Sequence, residues 1–239
     1  MLKSKLLLAV FILLFSSTSN SSELHEALLD KANSGNAEAN YHLGMLYNNG
    51  IGVEKSASKA FELFIKAAEN GDALGHYKVG CYYAGQFGKV DGIVLNKPKA
   101  LEHKLIAAEA GYSLAQNDVA VIYYSNGDIP KAIEWAQKAG DQGYVQSLSS
   151  LLSLYQMPES QNKSDKDAYV ALLKIKSLIP KNERLEELKA KLENKLKPTD
   201  IQKVESQINV WKPKATSLTQ QAMQGISRSK MIAGVLIND

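Results

Sequence analysis

AEANYHLGMLYNNGIGVEKSASKAFELFIKAAENGD, residues Ala37–Asp72, decides the fold, because the chain goes on to repeat it. A second copy, ALGHYKVGCYYAGQFGKVDGIVLNKPKALEHKLIAAEAGY, begins at Ala73, and a third, SLAQNDVAVIYYSNGDIPKAIEWAQKAGDQGY, at Ser113. Tyr47, Tyr83, Tyr123 and Tyr155 are separated by 36, 40 and 32 residues. Gly35, Gly71, Gly111 and Gly143 give the same series. Two independent rulers with one spacing mark a true repeat, and a period in this range means stacked units that each contact their neighbours.

Within the first unit, Ala39, Leu43 and Tyr47 recur every four residues and form one helical stripe, so stacking is expected to bury Tyr47. Gly44 lies beside that stripe, and Gly80 and Ala120 take its slot in the next two units. Glycine costs a helix about 1 kcal/mol relative to alanine, so its use there predicts a close approach by another helix. Asn48-Asn49-Gly50 ends this A helix, and Ser56 or Ser58 can cap the B helix that follows. Ala60, Leu63, Phe64, Ala67 and Ala68 form the apolar face of the B helix, and Gly71 suits a left-handed cap. The second A–B loop is four residues longer than the first and the third is four shorter; Pro98 and Pro130 open the B helices that follow.

The predicted organisation is therefore an all-α, right-handed superhelical solenoid of helix–turn–helix units at 37–72, 73–112, 113–144 and an eroded fourth at 145–180. Residues 20–36 hold a capping helix, Ser22–Asn33, and residues 181–239 form a helical C-terminal region. In the fourth unit the expected helices are Val145–Gln156 and Asp165–Leu178.

These motifs resemble the Sel-one-like repeat (SLR) family, relatives of tetratricopeptide repeats. The resemblance rests on AEANYHLGMLYNNGIGV, Lys59-Ala60 and KAAENG in the first unit; Tyr77, Gly80, Tyr83 and Lys99-Ala100 in the second; and Ala115, Tyr123, Lys131-Ala132 and Trp135 in the third. Ser56 departs from the family's usual Asp, and His103 stands in its Trp slot. LKPTDIQKVESQINVWKPK, Leu196–Lys214, resembles a helix that closes such proteins. The resemblance implies a concave groove that binds a protein or peptide, with adaptor, regulator and effector-immunity roles as specific versions. Some secreted, cysteine-rich members are linked to β-lactam chemistry, which makes a cell-wall or β-lactam-acting hydrolase the alternative reading; this chain lacks their paired cysteines.

Repeat arithmetic selects the candidate binding residues: His42, Lys78 and Asp118 at one A-helix slot, Met45, Cys81 and Val121 at another, and Asn49 at the end of the first A helix. His42 falls away from the Ala-Leu-Tyr stripe and is expected to be solvated, while Cys81 reads as a small apolar filler. Ser56-Ala57-Ser58-Lys59 fits S-x-x-K, but the string recurs at Ser160–Lys163 and Ser227–Lys230, and no S-D-N or K-T-G partner exists. The four histidines, His25, His42, His76 and His103, form no metal-ligand motif, and no phosphate-binding glycine loop follows a strand. The reading is a non-enzymatic protein with no cofactor, no metal site and no catalytic residue.

Lys3 and Lys5, the apolar run Leu6–Phe15 and the polar stretch SSTSNSS have the three-part plan of a cleavable signal peptide over residues 1–19, without a lipobox cysteine. Ten residues rise only about 15 Å as a helix, too short for a bilayer core of roughly 30 Å. The expectation is a periplasmic or secreted protein with a cell-envelope partner and no stable membrane span after cleavage. The chain has 28 Lys+Arg and 25 Asp+Glu; without the two lysines of the signal its net charge is 26 − 25 = +1, which gives no case for nucleic acid. Charge is uneven, with 11 basic and 16 acidic residues over Asn20–Glu159 and 15 basic and 9 acidic over Ser160–Asp239. The unevenness reads as ordinary solvated helix faces, or else as a basic C-terminal region that docks on acidic repeats or an acidic partner. Met231–Ile237, MIAGVLI, is expected to pack onto the last helices, or else to dock a partner.

Overall fold

The structure is a computed structural model that describes residues 22–88, 90–158 and 161–235; the expected signal peptide lies outside them. All regular structure among the described residues is α-helical. Helix α1 covers residues 22–33. It is followed by α2 (Ala37–Asn49), α3 (Ala57–Glu69), α4 (Ala73–Tyr83), α5 (Lys97–Glu109), α6 (Ser113–Ser125) and α7 (Ile129–Asp141). Then come α8 (Val145–Gln156), α9 (Asp165–Leu178), α10 (Glu183–Glu193), α11 (Pro198–Val210) and α12 (Ser217–Ala233). The A helices α2, α4, α6 and α8 start at the first residue of each unit, and α3, α5, α7 and α9 are their B helices. No helix among the described residues is long and apolar enough to cross a membrane.

The local signals act as the residue types require. Ser56, not Ser58, caps α3, its hydroxyl accepting from Lys59 N at 3.3 Å. Asn36, Asp72 and Asp128 cap α2, α4 and α7 in the same way. Gly71 has φ +86°, a conformation that strains residues with a Cβ, and the other glycines of the ruler share it.

The chain divides into two compact units, one holding the residues up to Ile106 together with those from Gln221 on, the other Ala107–Gln220. In the first, α2 packs on α3 and α3 on α4. Leu24 and Leu28 of α1 join Ala39, Leu43 and Leu46 of α2 in one buried cluster. Phe64, fully buried, fills the space left by Gly44. Ala233 belongs to the α1–α2 cluster, with Ile232 and Val235 packed against it. This corrects the expectation for Met231–Ile237: its described part packs on the first helices, not the last. The reason is the course of α12, whose backbone breaks at Gly225 (φ 51°, ψ −120°).

In the second unit α6 packs on α7, α7 on α8 and α8 on α9, while α10 and α11 both lie against α9. Tyr169, fully buried, donates from its hydroxyl to Glu193 of α10 at 2.8 Å and Glu205 of α11 at 3.2 Å. Beyond α11 the chain runs back along the turns between units. Pro213 lies against Gly143, Lys214 N donates to Asp141 O at 3.0 Å, and Thr216 Oγ1 donates to Gly111 O at 2.8 Å.

Candidate functional site

The A helices bury one stripe, Ala39 and Leu43 in α2, Val79 in α4, and Ala115 and Val119 in α6, and carry other residues on a second face. In α2 that face carries Tyr41, His42, Met45, Leu46 and Asn49. It is not open. Gln221, Ala222, Gly225, Ile226 and Ser229 of α12 lie over it and leave a residual cavity of about 150 Å³. His42 is therefore buried, at 5% exposure, which overturns the expectation of a solvated ring. Its Nε2 lies 3.5 Å from Glu38 Oε1, long for a hydrogen bond, and has no closer partner. Arg228 reaches Glu38 with both faces of its fork, at 2.6 Å from Nε and 2.9 Å from Nη2. Burial works to raise the Glu38 carboxyl, but the hydrogen bonds and charge of Arg228, with the His42 ring beside it, outweigh it and hold it down at about 2.

The predicted residues thus separate. His42, Met45 and Asn49 come together under α12. Lys78 is half-buried, its ammonium 5.7 Å from the Phe87 ring and its pKa lowered by burial. Cys81 is buried, as expected of a small apolar filler. Asp118 is half-buried. Val121 is exposed and stands in a different place.

That place is a groove of about 430 Å³ between α6 and α8, floored by Ala132 and Ala136 of α7. Ala120, Val121 and Tyr124 form one wall; Ser149, Ser150, Ser153, Leu154 and Met157 form the other. Val121 is 48%, Tyr124 49% and Met157 36% exposed, so the walls present apolar surface to solvent. The three serine hydroxyls donate to the carbonyls four residues back, at 3.0–3.1 Å, and lie along their own helix. The sequence reading reached Val121 and missed the second wall, although the repeat spacing carried from α6 to α8 points to Ser150 and Ser153. Nothing in the sequence signalled Arg228, Ile226 or Ser229, which belong to no repeat.

The repeat's conserved-looking pairs also have places. Tyr47, Tyr83 and Tyr123 are half-buried, not buried as expected for Tyr47. The reason is a lysine from the B helix over each ring: Lys59 at 5.2 Å, Lys99 at 5.4 Å and Lys131 at 5.1 Å. Such a contact needs an open ring face. In the fourth unit Asp167 takes the lysine's slot. Tyr155 is buried there and accepts from Gln137 Nε2 at 2.7 Å, and burial together with the Asp167 charge pushes its pKa up. In the S-x-x-K string, Ser56 is a helix cap and Lys59 lies over Tyr47, so both side chains have structural partners.

An array of helix–turn–helix units with an apolar inner face defines an all-α repeat protein of the solenoid class. Residues 37–72, 73–112 and 113–144 match the Sel1 repeat, so this span holds three Sel1 repeats. No curated protein matches the chain. Among solved structures, a protective antigen present in uropathogenic Escherichia coli strains and displaying an SLR fold is similar at 19% identity, over 89% of this chain and 51% of that one, with a TM-score of 0.54. A Sel1 repeat protein from Oxalobacter formigenes is similar at 24% identity, over 60% of this chain and 57% of that one, also at 0.54. The chain spans about half the length of these structures, and at such identity they share its fold.

Proposed function

We propose that this protein is a non-enzymatic scaffold that binds a protein or peptide partner on the inner face of its A helices, in the periplasm or outside the cell. One observation carries the reading: on α2 that face already holds a polypeptide, the α12 segment from Gln221 to Ser229. A surface that binds peptide chain in one unit, and stands open between α6 and α8, is suited to the same work there. The signal-like plan of residues 1–19 supports export.

The test is affinity capture from a cell-envelope fraction with the wild-type chain and with Val121→Asp. A partner retained by the wild type and lost with Val121→Asp is the expected result. Capture that fails, together with turnover of nitrocefin or peptidoglycan by the purified protein, would replace this reading with the hydrolase.

A further inference from the structure

The groove between α6 and α8 is related to the covered face of α2 position by position. Advance Tyr41, His42, Met45, Leu46 and Asn49 by the three successive repeat spacings and they become Ser149, Ser150, Ser153, Leu154 and Met157. The first four are α8 positions and Met157 is its C-cap; with Gln146 they form the far wall of the groove. Repeat equivalence therefore maps a seat that is filled in one unit onto a seat that is open in another. The filled seat shows what fits. The small side chains of Ala222, Gly225 and Ser229 allow close approach, and Ile226 supplies an aliphatic contact. Ser229 is 2% exposed, so the two helices meet closely at that point.

The two seats differ in charge. In α2, Glu38 receives Arg228 and His42 lies beside it. The same slots in α8 are Gln146 and Ser150, and among the described residues that line the groove tyrosine is the only titratable type. An arginine brought against these residues would lose water and find no carboxylate among them. The serines, hydrogen-bonded to their own helix, offer a flat wall that suits another helix.

Resting on the scaffold reading above, we infer that the α6–α8 groove is a seat for a helical segment of a partner protein whose contact face is aliphatic and small, and uncharged where α12 carries Arg228. The probe is a fluorescein-labelled peptide of residues 217–235 of this chain with R228Q, titrated into the full-length protein. Saturable binding to one site is expected. Ser153→Trp, which fills the seat, and Val121→Asp, which charges its rim, should each weaken it about tenfold or more, the scale of a central contact. Val121 is exposed, so the second variant keeps the test valid if the first misfolds. The peptide that retains Arg228 should bind several-fold more weakly, by about 1 kcal/mol.

No saturable binding, or binding indifferent to both variants, overturns the inference. Tighter binding of the Arg228 peptide overturns it too, because it would mean exchange into the α2 seat. Self-association of the wild type that Val121→Asp abolishes would assign the groove to a second copy and overturn the partner assignment. A captured envelope protein whose binding survives both Ser153→Trp and Val121→Asp would sink this seat and leave the scaffold reading standing. Peptide binding without any captured protein would do the reverse.

Discussion

A Cβ at residue 80 would lie 3.0 Å from the carbonyl oxygen of Ala100 and 2.8 Å from Lys104 Cγ. At residue 44 the obstacle is instead the Phe64 ring, at 2.7 Å. Both glycines confirm a close approach, and the backbone neighbour makes Gly80 the stricter. Gly80→Ala and Gly44→Leu should each destabilise by about 1–3 kcal/mol, as overpacking does. Unchanged thermal melts would contradict the packing. A second residue-scale test concerns His76 and His103, whose Nδ1 atoms are 2.9 Å apart, a hydrogen bond in which only one Nδ1 carries the proton. Burial lowers the pKa of both; the His76 and Lys99 charges add to this at His103, while the Ala68 backbone opposes it at His76 and Glu102 opposes it at each. A depressed histidine pKa gives stability that is present above the ordinary value of about 6.5 and lost as pH falls through the folded value. Asp72 acts in the opposite sense. Burial raises it to about 6, so its contribution is lost as pH rises towards that value. The comparison must therefore be with His103→Gln, whose stability should fall less than the wild type's on acidification from pH 7 to 5. Parallel curves would refute the coupling.

The A helices end their N-termini in different ways. Asn36 and Asp72 cap α2 and α4 with their own side chains, but the equivalent residues before α6 and α8 are Tyr112 and Tyr144, which cap nothing. Thr219 repairs the first of these. Its hydroxyl accepts from Ser113 N at 3.0 Å and donates to Gln142 Oε1 at 2.7 Å, while Gln142 Nε2 donates to Gly111 O at 2.8 Å. Thr219→Val should cost about 1 kcal/mol, the usual loss for a cap, and speed exchange of the Ser113 amide. Exchange unaltered at that amide would show that the borrowed cap is idle. Arg228→Ala should release the end of α12 from α2. The expected signature is hydrogen exchange rising over residues 221–233 and at the α2 face that carries His42, with about 1–3 kcal/mol lost as a charged hydrogen-bond pair is broken. Paired helices and their glycine caps were legible because each depends on residues three or four apart. The burial of His42 was not, because it depends on a segment outside the repeat, and periodicity reports only how a helix faces its own neighbours.

For the molecule as a whole, helix at almost every regular position means that far-ultraviolet circular dichroism should show a helical spectrum; substantial β-structure would end the reading. The bounds of α8 and α9 match the sequence expectation residue for residue, even though the unit is eroded, since Leu148, Leu151, Leu152, Ala168 and Leu172 still keep helical spacing. The C-terminal region was legible as helix and no further: α10 and α11 bear on α9 through Tyr169, but no sequence period predicts that pairing. From the basic stretch Ser160–Asp239, Lys174 pairs with Asp141 and Arg228 with Glu38 of the acidic repeats.

The bond between Arg228 and Glu38 joins residues 190 positions apart. A repeat array can fold progressively as it leaves the ribosome, because each unit needs only the one before it. The first unit here cannot finish in that way. At synthesis rates of about 5–20 residues per second, roughly 10–40 s separate translation of Glu38 from that of Arg228. During that interval the α1–α2 cluster lacks Ala233 and the α2 face lacks Ile226. The start of the chain is thus the part that waits longest for its native cover, and it is there that a chaperone would find exposed apolar surface on the nascent protein.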